Sequence, residues 1–113
     1  MDITLKDTKA NYHIGNKDFT IDLGDPAVLD AHDQMLDFLG KVAEDNGATS
    51  TEVNDRLNEY LKTVFGDDQY ADLEKIGATN HVNAQRITVA IVADVNKLNS
   101  ENNVTKIMEE FGL

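Results

Sequence analysis

The fold of this 113-residue chain depends on the stretch VNAQRITVAIVADVNKL, residues 82–98. Its middle, residues 87–93, is rich in β-branched residues and on composition alone is compatible with a buried strand. We favour a helix because the apolar pattern continues through Val95 and Leu98, too far for a typical strand, and no turn residue interrupts it. Asn80 is a suitable N-cap for such a helix.

A helix over residues 82–98 has apolar residues on more than one side. Two sets repeat at helical spacing, Ile87, Ile91, Val95 and Leu98 on one side and Val82, Val89 and Val92 on another. A small domain rarely buries a helix all round. The stretch is therefore either a central core helix or a helix that also contacts another subunit or a partner.

Towards the N-terminus the sequence predicts a β-hairpin. Residues 18–23 alternate between apolar and polar side chains, and they are separated from Tyr12-His13-Ile14 by Gly15-Asn16-Lys17. Period-two alternation is typical of strands, and a Gly-Asn pair supplies the positive φ values of a tight turn. Two strands alone are only marginally stable, so we expect the hairpin to pack on an apolar surface.

Helices follow the hairpin. Asp25-Pro26 is a typical helix start for a segment reaching Asp45, with Asn46-Gly47 as its stop. Thr49 and Glu52 have capping-box spacing before a second helix that ends at Gly66. A short helix from Asp67 or Asp68 to Ile76 precedes residues 82–98, and a polar break at residues 99–103 precedes a final short helix from Val104 to Phe111.

These segments predict one α+β domain over residues 1–113, an N-terminal β-hairpin packed on a mainly helical bundle of four to five helices. Residues 1–10 are expected to be a flexible tail or an edge strand, residues 11–24 the hairpin, residues 25–99 the helical core and residues 100–113 the C-terminal short helix.

The composition excludes several classes of function. The chain has 21 acidic and 10 basic residues, a formal charge of −11, and no cysteine. This charge disfavours nucleic acid and anionic membranes as partners. It suits a basic protein partner, but the interpretation that we favour is that it keeps the protein soluble. No apolar run approaches the ~20 residues that span a bilayer, and no signal peptide is recognisable, so we expect the protein inside a cell.

The candidate catalytic groups are sparse. His32 with Asp33, or with Asp25 and Asp37, could form a carboxylate–imidazole site, but we favour the simpler interpretation of a partly exposed histidine beside solvated acids. Asp94 is either a partner of Arg86 or Lys97 or the exposed edge of its helix. We assign no catalytic and no cofactor-binding residue.

A metal site is also conceivable on the first helix. Asp30, Asp33 and Asp37 share one helical face, where stacked carboxylates suit calcium or magnesium. Such sites usually come from a loop that wraps the ion, and Asp67-Asp68 lacks the spacing of a calcium loop. We therefore interpret these acids as a solvated face and assign no metal ligand.

The order of elements resembles a known family. An IGNKDFTIDLGD segment, residues 14–25, leads from a strand pair into an acidic helix start. Residues 61–73, LKTVFGDDQYADL, join two helices through a Phe-Gly-acidic-x-x-Tyr step, and the apolar helix ending VNKLN at residue 99 follows. Over residues 12–99 the chain resembles the tail assembly chaperones of long-tailed phages and prophages of Gram-positive bacteria.

The resemblance implies an acidic, mainly helical, non-catalytic protein of the host cytoplasm. Family members bind and solubilise the tape measure protein during virion morphogenesis, self-associate, and often have a longer frameshifted form. The tail tube protein is a further candidate partner. Alternatives are a structural phage protein, such as a head–tail connector subunit forming a ring, and a small enzyme or metal-binding protein that uses His32.

The partner-binding residues come from the apolar excess in the sequence, because the family has no catalytic residues to carry over. The expected contacts are Phe65, Tyr70, Val89, Val92, Ile107, Met108 and Phe111. Apolar helix faces of this kind bind a helical partner in a groove, while the negative charge keeps the complex in solution.

Overall fold

The computed structural model describes residues 1–45 and 47–113. Within these residues the chain forms one antiparallel strand pair followed by five helices, which confirms the predicted α+β fold. The elements are β1 (Lys9–Ile14), β2 (Lys17–Asp22), α1 (Pro26–Asp45), α2 (Ser50–Phe65), α3 (Asp67–Lys75), α4 (His81–Glu101) and α5 (Val104–Glu110).

The hairpin turns on two residues rather than the three expected. Gly15 and Asn16 have φ angles of 54° and 67°, the pair of positive values that a tight hairpin turn requires. Lys17 is already the first residue of β2 and pairs with Ile14. β1 begins at Lys9, so the segment before the sheet is two residues shorter than the predicted tail.

Side-chain caps begin the helices where the sequence predicts. The Asp25 carboxylate accepts the Ala27 N–H at 2.9 Å, the Thr49 hydroxyl accepts the Glu52 N–H at 3.1 Å, and the Asn80 side chain accepts the Asn83 N–H at 2.8 Å. Each bond satisfies an N–H group that a helix start leaves unpaired. Asn46, in the predicted stop after α1, lies outside the described residues.

Residues 82–98 are helical, so the strand alternative for residues 87–93 is excluded. Helix α4 continues through Glu101, and the predicted polar break at residues 99–103 shrinks to Asn102 and Asn103. The central element is α2 rather than α4, because α2 packs against α1, α3, α4 and β2. Helix α4 therefore keeps one side away from the core.

The core lies between the hairpin and the helices. Phe19 and Ile21 project from the inner face of β2 and are almost fully buried. Phe19 meets Phe65 of α2 edge to face, with ring centroids 5.7 Å apart. Leu61 of α2 and Ile91 of α4 are completely buried beside them. Burying such a side chain stabilises the fold by about 1.5–3 kcal/mol.

Two segments contribute little to this core. Residues 1–8 precede β1 without regular secondary structure, and α5 has no buried residue. The radius of gyration is 16.0 Å, against about 13 Å for a compact chain of this length. Among the described residues, no helix is long and apolar enough to cross a membrane.

Candidate functional site

Helix α5 presents an apolar face that the rest of the chain leaves partly exposed. We call Val104, Ile107, Met108 and Phe111 the α5 face. Their i, i+3, i+4 and i+7 spacing aligns them on one side of the helix, and Ile107, Met108 and Phe111 are 40–45% exposed. An isolated helix of seven residues is only marginally stable in water. Burial against another molecule would therefore stabilise α5 as well as cover its face.

The charges around the α5 face are mostly negative. Glu101, Glu109 and Glu110 lie between residues 101 and 110, against the single cation Lys106. Within the described part of the chain none of these four side chains forms an ion pair. Together with the formal charge of −11, this arrangement favours a partner segment with basic residues flanking an apolar stripe.

A second apolar surface lies between β1 and α4. We call it the β1 groove, and it has a volume of about 560 Å³. Its lining residues are Tyr12, His13, Ile14, Gln85, Arg86, Ile87, Val89 and Ala90. Val89 is 62% exposed here, so this residue of the apolar excess of α4 faces the groove rather than the core.

Tyr12 connects the two sides of the β1 groove. Its hydroxyl donates a 2.7 Å hydrogen bond to the Asp94 carboxylate of α4, which lies 82 residues away in the sequence. Burial of the ring raises the pKa of the Tyr12 phenol, and the bond to Asp94 raises it further. Asp94 is exposed and bonds Tyr12 rather than Arg86 or Lys97, the partners considered from the sequence.

The predicted partner-binding residues occupy four different environments. Ile107, Met108 and Phe111 share the α5 face, and Val89 lines the β1 groove. Tyr70 is half-buried, and its hydroxyl donates to the Asn58 side chain at 3.0 Å. Burial raises the pKa of this phenol, with a smaller contribution from Glu74.

Phe65 and Val92 differ from the expectation, because both are buried in the core. Phe65 packs on Phe19 of the hairpin, and Val92 lies next to Ile91 on the buried side of α4. The apolar pattern of a helix does not indicate which of two neighbouring rows of apolar side chains the hairpin will cover. These two side chains are thus not part of the exposed surface.

His32 is also placed differently from the expectation of partial exposure. Its side chain is 1% exposed, and Nε2 lies 2.8 Å from the Asn96 amide oxygen rather than beside an aspartate. Nδ1 has no partner among the described residues. Val28, His32 and Met35 are spaced by four and three residues on the buried side of α1. This spacing places His32 on the same side of the helix as two apolar residues, and it is the feature of the sequence that indicates burial.

The acidic residues considered for a metal site are exposed. Asp30, Asp33 and Asp37 lie on the surface of α1, and Asp37 pairs with Lys41 at 3.0 Å. Across residues 1–45 and 47–113, no three His, Cys, Asp or Glu side chains are grouped so as to hold a metal ion.

Gln69 clamps the outer edge of β2, a contact that the sequence did not reveal. Its amide oxygen accepts the Thr20 N–H at 2.9 Å, and its amide nitrogen donates to the Thr20 carbonyl at 2.8 Å. The same nitrogen also lies 2.8 Å from the Phe65 carbonyl. The side chain thus imitates one residue of a neighbouring strand and closes this edge of the sheet.

Comparison with known proteins gives no relative for this chain: it matches no protein-family model, and no significant match is found among curated proteins or among solved structures.

Proposed function

We propose that this protein is a non-catalytic phage tail assembly chaperone, which binds the tape measure protein in the host cytoplasm and keeps it soluble until the tail tube assembles. The observation that carries the proposal is the partly exposed α5 face. The order of elements over residues 12–99 supports it through the family resemblance, which is independent of the structure.

The α5 face suits a helical client. Four apolar side chains on two successive turns form the half of a helix-in-groove contact that an amphipathic partner helix completes. The acidic residues flanking them favour a client with lysine or arginine beside its apolar stripe. Long-range attraction to a basic client would also speed association, and salt would weaken this effect.

The proposal is tested by co-expression with the tape measure protein, followed by pull-down and by measurement of its soluble fraction. Phe111→Asp places a charge at the C-terminal end of the α5 face and is expected to weaken binding about tenfold or more. Leu36→Asp is the matched control, because Leu36 is 41% exposed and belongs to α1 rather than to the α5 face. Wild-type binding by Phe111→Asp would contradict the proposal.

A fold control accompanies these variants. Since α5 has no buried residue, Phe111→Asp is expected to change the free energy of unfolding by less than about 0.5 kcal/mol. Light scattering separates the alternative function. A closed ring with a fixed number of subunits would favour a head–tail connector, whereas a concentration-dependent mixture of monomers and oligomers favours the chaperone.

A further inference from the structure

We propose that the open edge of β1 accepts residues 2–6 of a second copy of this chain as a third, antiparallel strand. The proposal goes beyond the chaperone function, because it concerns the hairpin and α4 rather than the α5 face.

The two edges of the sheet differ in whether their outward-pointing backbone groups have hydrogen-bond partners. In an antiparallel strand pair, hydrogen-bonded residue pairs alternate with non-hydrogen-bonded pairs, and Ile14–Lys17, which flanks the turn, is a hydrogen-bonded pair. Asn11 and His13 therefore belong to non-hydrogen-bonded pairs, and their backbone N–H and C=O groups point away from β2. On β2 the equivalent outward groups of Thr20 are taken up by Gln69. Among the described residues, no other element supplies a partner to the outward groups of Asn11 and His13.

The β1 groove lies beside this open edge. A strand added there would place every second side chain over Val89 and Ala90 of α4, which line the groove. The occupant must therefore be extended, with apolar residues two positions apart.

Residues 2–6, Asp-Ile-Thr-Leu-Lys, have this pattern. Ile3 and Leu5 are 67% and 88% exposed, so both side chains are free to enter a groove. Within one chain, the segment cannot reach the edge without breaking contacts at Thr8. The Thr8 carbonyl accepts the Leu23 N–H at 2.9 Å, and its hydroxyl donates to Asp22. A second copy meets no such obstacle.

The added strand is expected to run antiparallel to β1, because antiparallel pairs are slightly more stable per residue than parallel ones. With Ile3 and Leu5 facing the groove, the side chains of Asp2, Thr4 and Lys6 lie on the opposite face of the strand and point away from α4.

The pleat and the charges also select the register. Ile3 and Leu5 face the groove only when they lie opposite residues of β1 whose side chains are on the same side of the sheet. These are every second residue of β1, so two main registers remain. Leu5 opposite Ala10 would put Lys6 directly opposite Lys9, a destabilising pair of like charges. Leu5 opposite Tyr12 avoids this and puts Thr4 opposite His13.

Cysteine cross-linking tests the contact, because the natural chain has no cysteine. Thr4→Cys is mixed with His13→Cys under mild oxidation, and a covalent dimer is expected, since opposed residues on hydrogen-bonded strands are ~5.5 Å apart. The matched control is Asp18→Cys. Asp18 pairs with His13 from β2, one strand further away and ~10 Å from Thr4, beyond disulfide reach.

Three results would overturn the proposal. The first is the absence of a cross-link between Thr4→Cys and His13→Cys, and the second is equal cross-linking of Thr4→Cys with Asp18→Cys. The third is an intramolecular disulfide in a dilute solution of the Thr4→Cys/His13→Cys double variant, because this bond would mean that the segment folds back on its own chain.

Sedimentation velocity gives an independent readout. Leu5→Asp is expected to weaken self-association about 10- to 100-fold, whereas Leu36→Asp leaves it unchanged. Equal effects of the two substitutions would also contradict the proposal.

Discussion

Removal of the Gln69 side chain is expected to destabilise the protein by about 1–3 kcal/mol. The amide bonds three backbone groups, the N–H and carbonyl of Thr20 and the carbonyl of Phe65. Each bond contributes about 0.5–1.5 kcal/mol net, and the Thr20 groups regain water in the variant because this edge is exposed. Gln69→Ala should therefore lower the melting temperature by roughly 4–12 °C.

Thermal and urea unfolding, followed by far-UV circular dichroism, measure this effect. Gln34→Ala is the matched control, since Gln34 is an exposed glutamine on α1 and the same change in helix propensity applies. Gln69→Ala is also expected to raise aggregation, because it opens the second edge of the sheet. Equal melting temperatures for Gln69→Ala and the control would refute the view that Gln69 closes the edge of β2.

Two further predictions concern polar side chains. His32→Leu should change stability by less than about 1 kcal/mol, because it removes an unpaired buried nitrogen and keeps the volume, and a loss above about 2 kcal/mol in urea unfolding would contradict this. For Asp22, the Thr8 hydroxyl and then the Gly24 N–H hold the pKa of the carboxyl below its ordinary value of 3.8. Its stabilisation is thus present above that value and is lost as the pH falls through the lowered one. Asp22→Asn should lower the urea midpoint at about pH 7 but not in strong acid, and a pH-independent difference would argue against this origin.

The sequence predicts the elements well because the signals for them are local. The Gly15-Asn16 turn, the Asp25, Thr49 and Asn80 caps, and the long apolar period of residues 82–98 each act within a few residues. The helix over residues 82–98 could be separated from a strand by its length alone.

Contacts between residues that are far apart in the sequence cannot be predicted from local patterns. Tyr12 bonds Asp94 across 82 residues, and Gln69 bonds Thr20 across 49, and neither pair has a signal in its own segment. The candidate site shows the same limit. The spacing of Ile107, Met108 and Phe111 predicts an apolar face, but it does not tell whether that face docks on the core or stays uncovered. His32 is different, because its spacing from Val28 and Met35 is a local signal that indicates burial.

Hydrogen–deuterium exchange of the α5 amides, measured with and without the tape measure protein, tests the proposed role of this helix most directly. In the free protein we expect residues 104–110 to exchange nearly as fast as an unfolded peptide, because the helix is short and has no buried residue. Binding of the client should slow this exchange by about 100-fold or more, with less change on the exposed side of α1. Unchanged exchange in α5, when the client is bound elsewhere on the protein, would contradict the account.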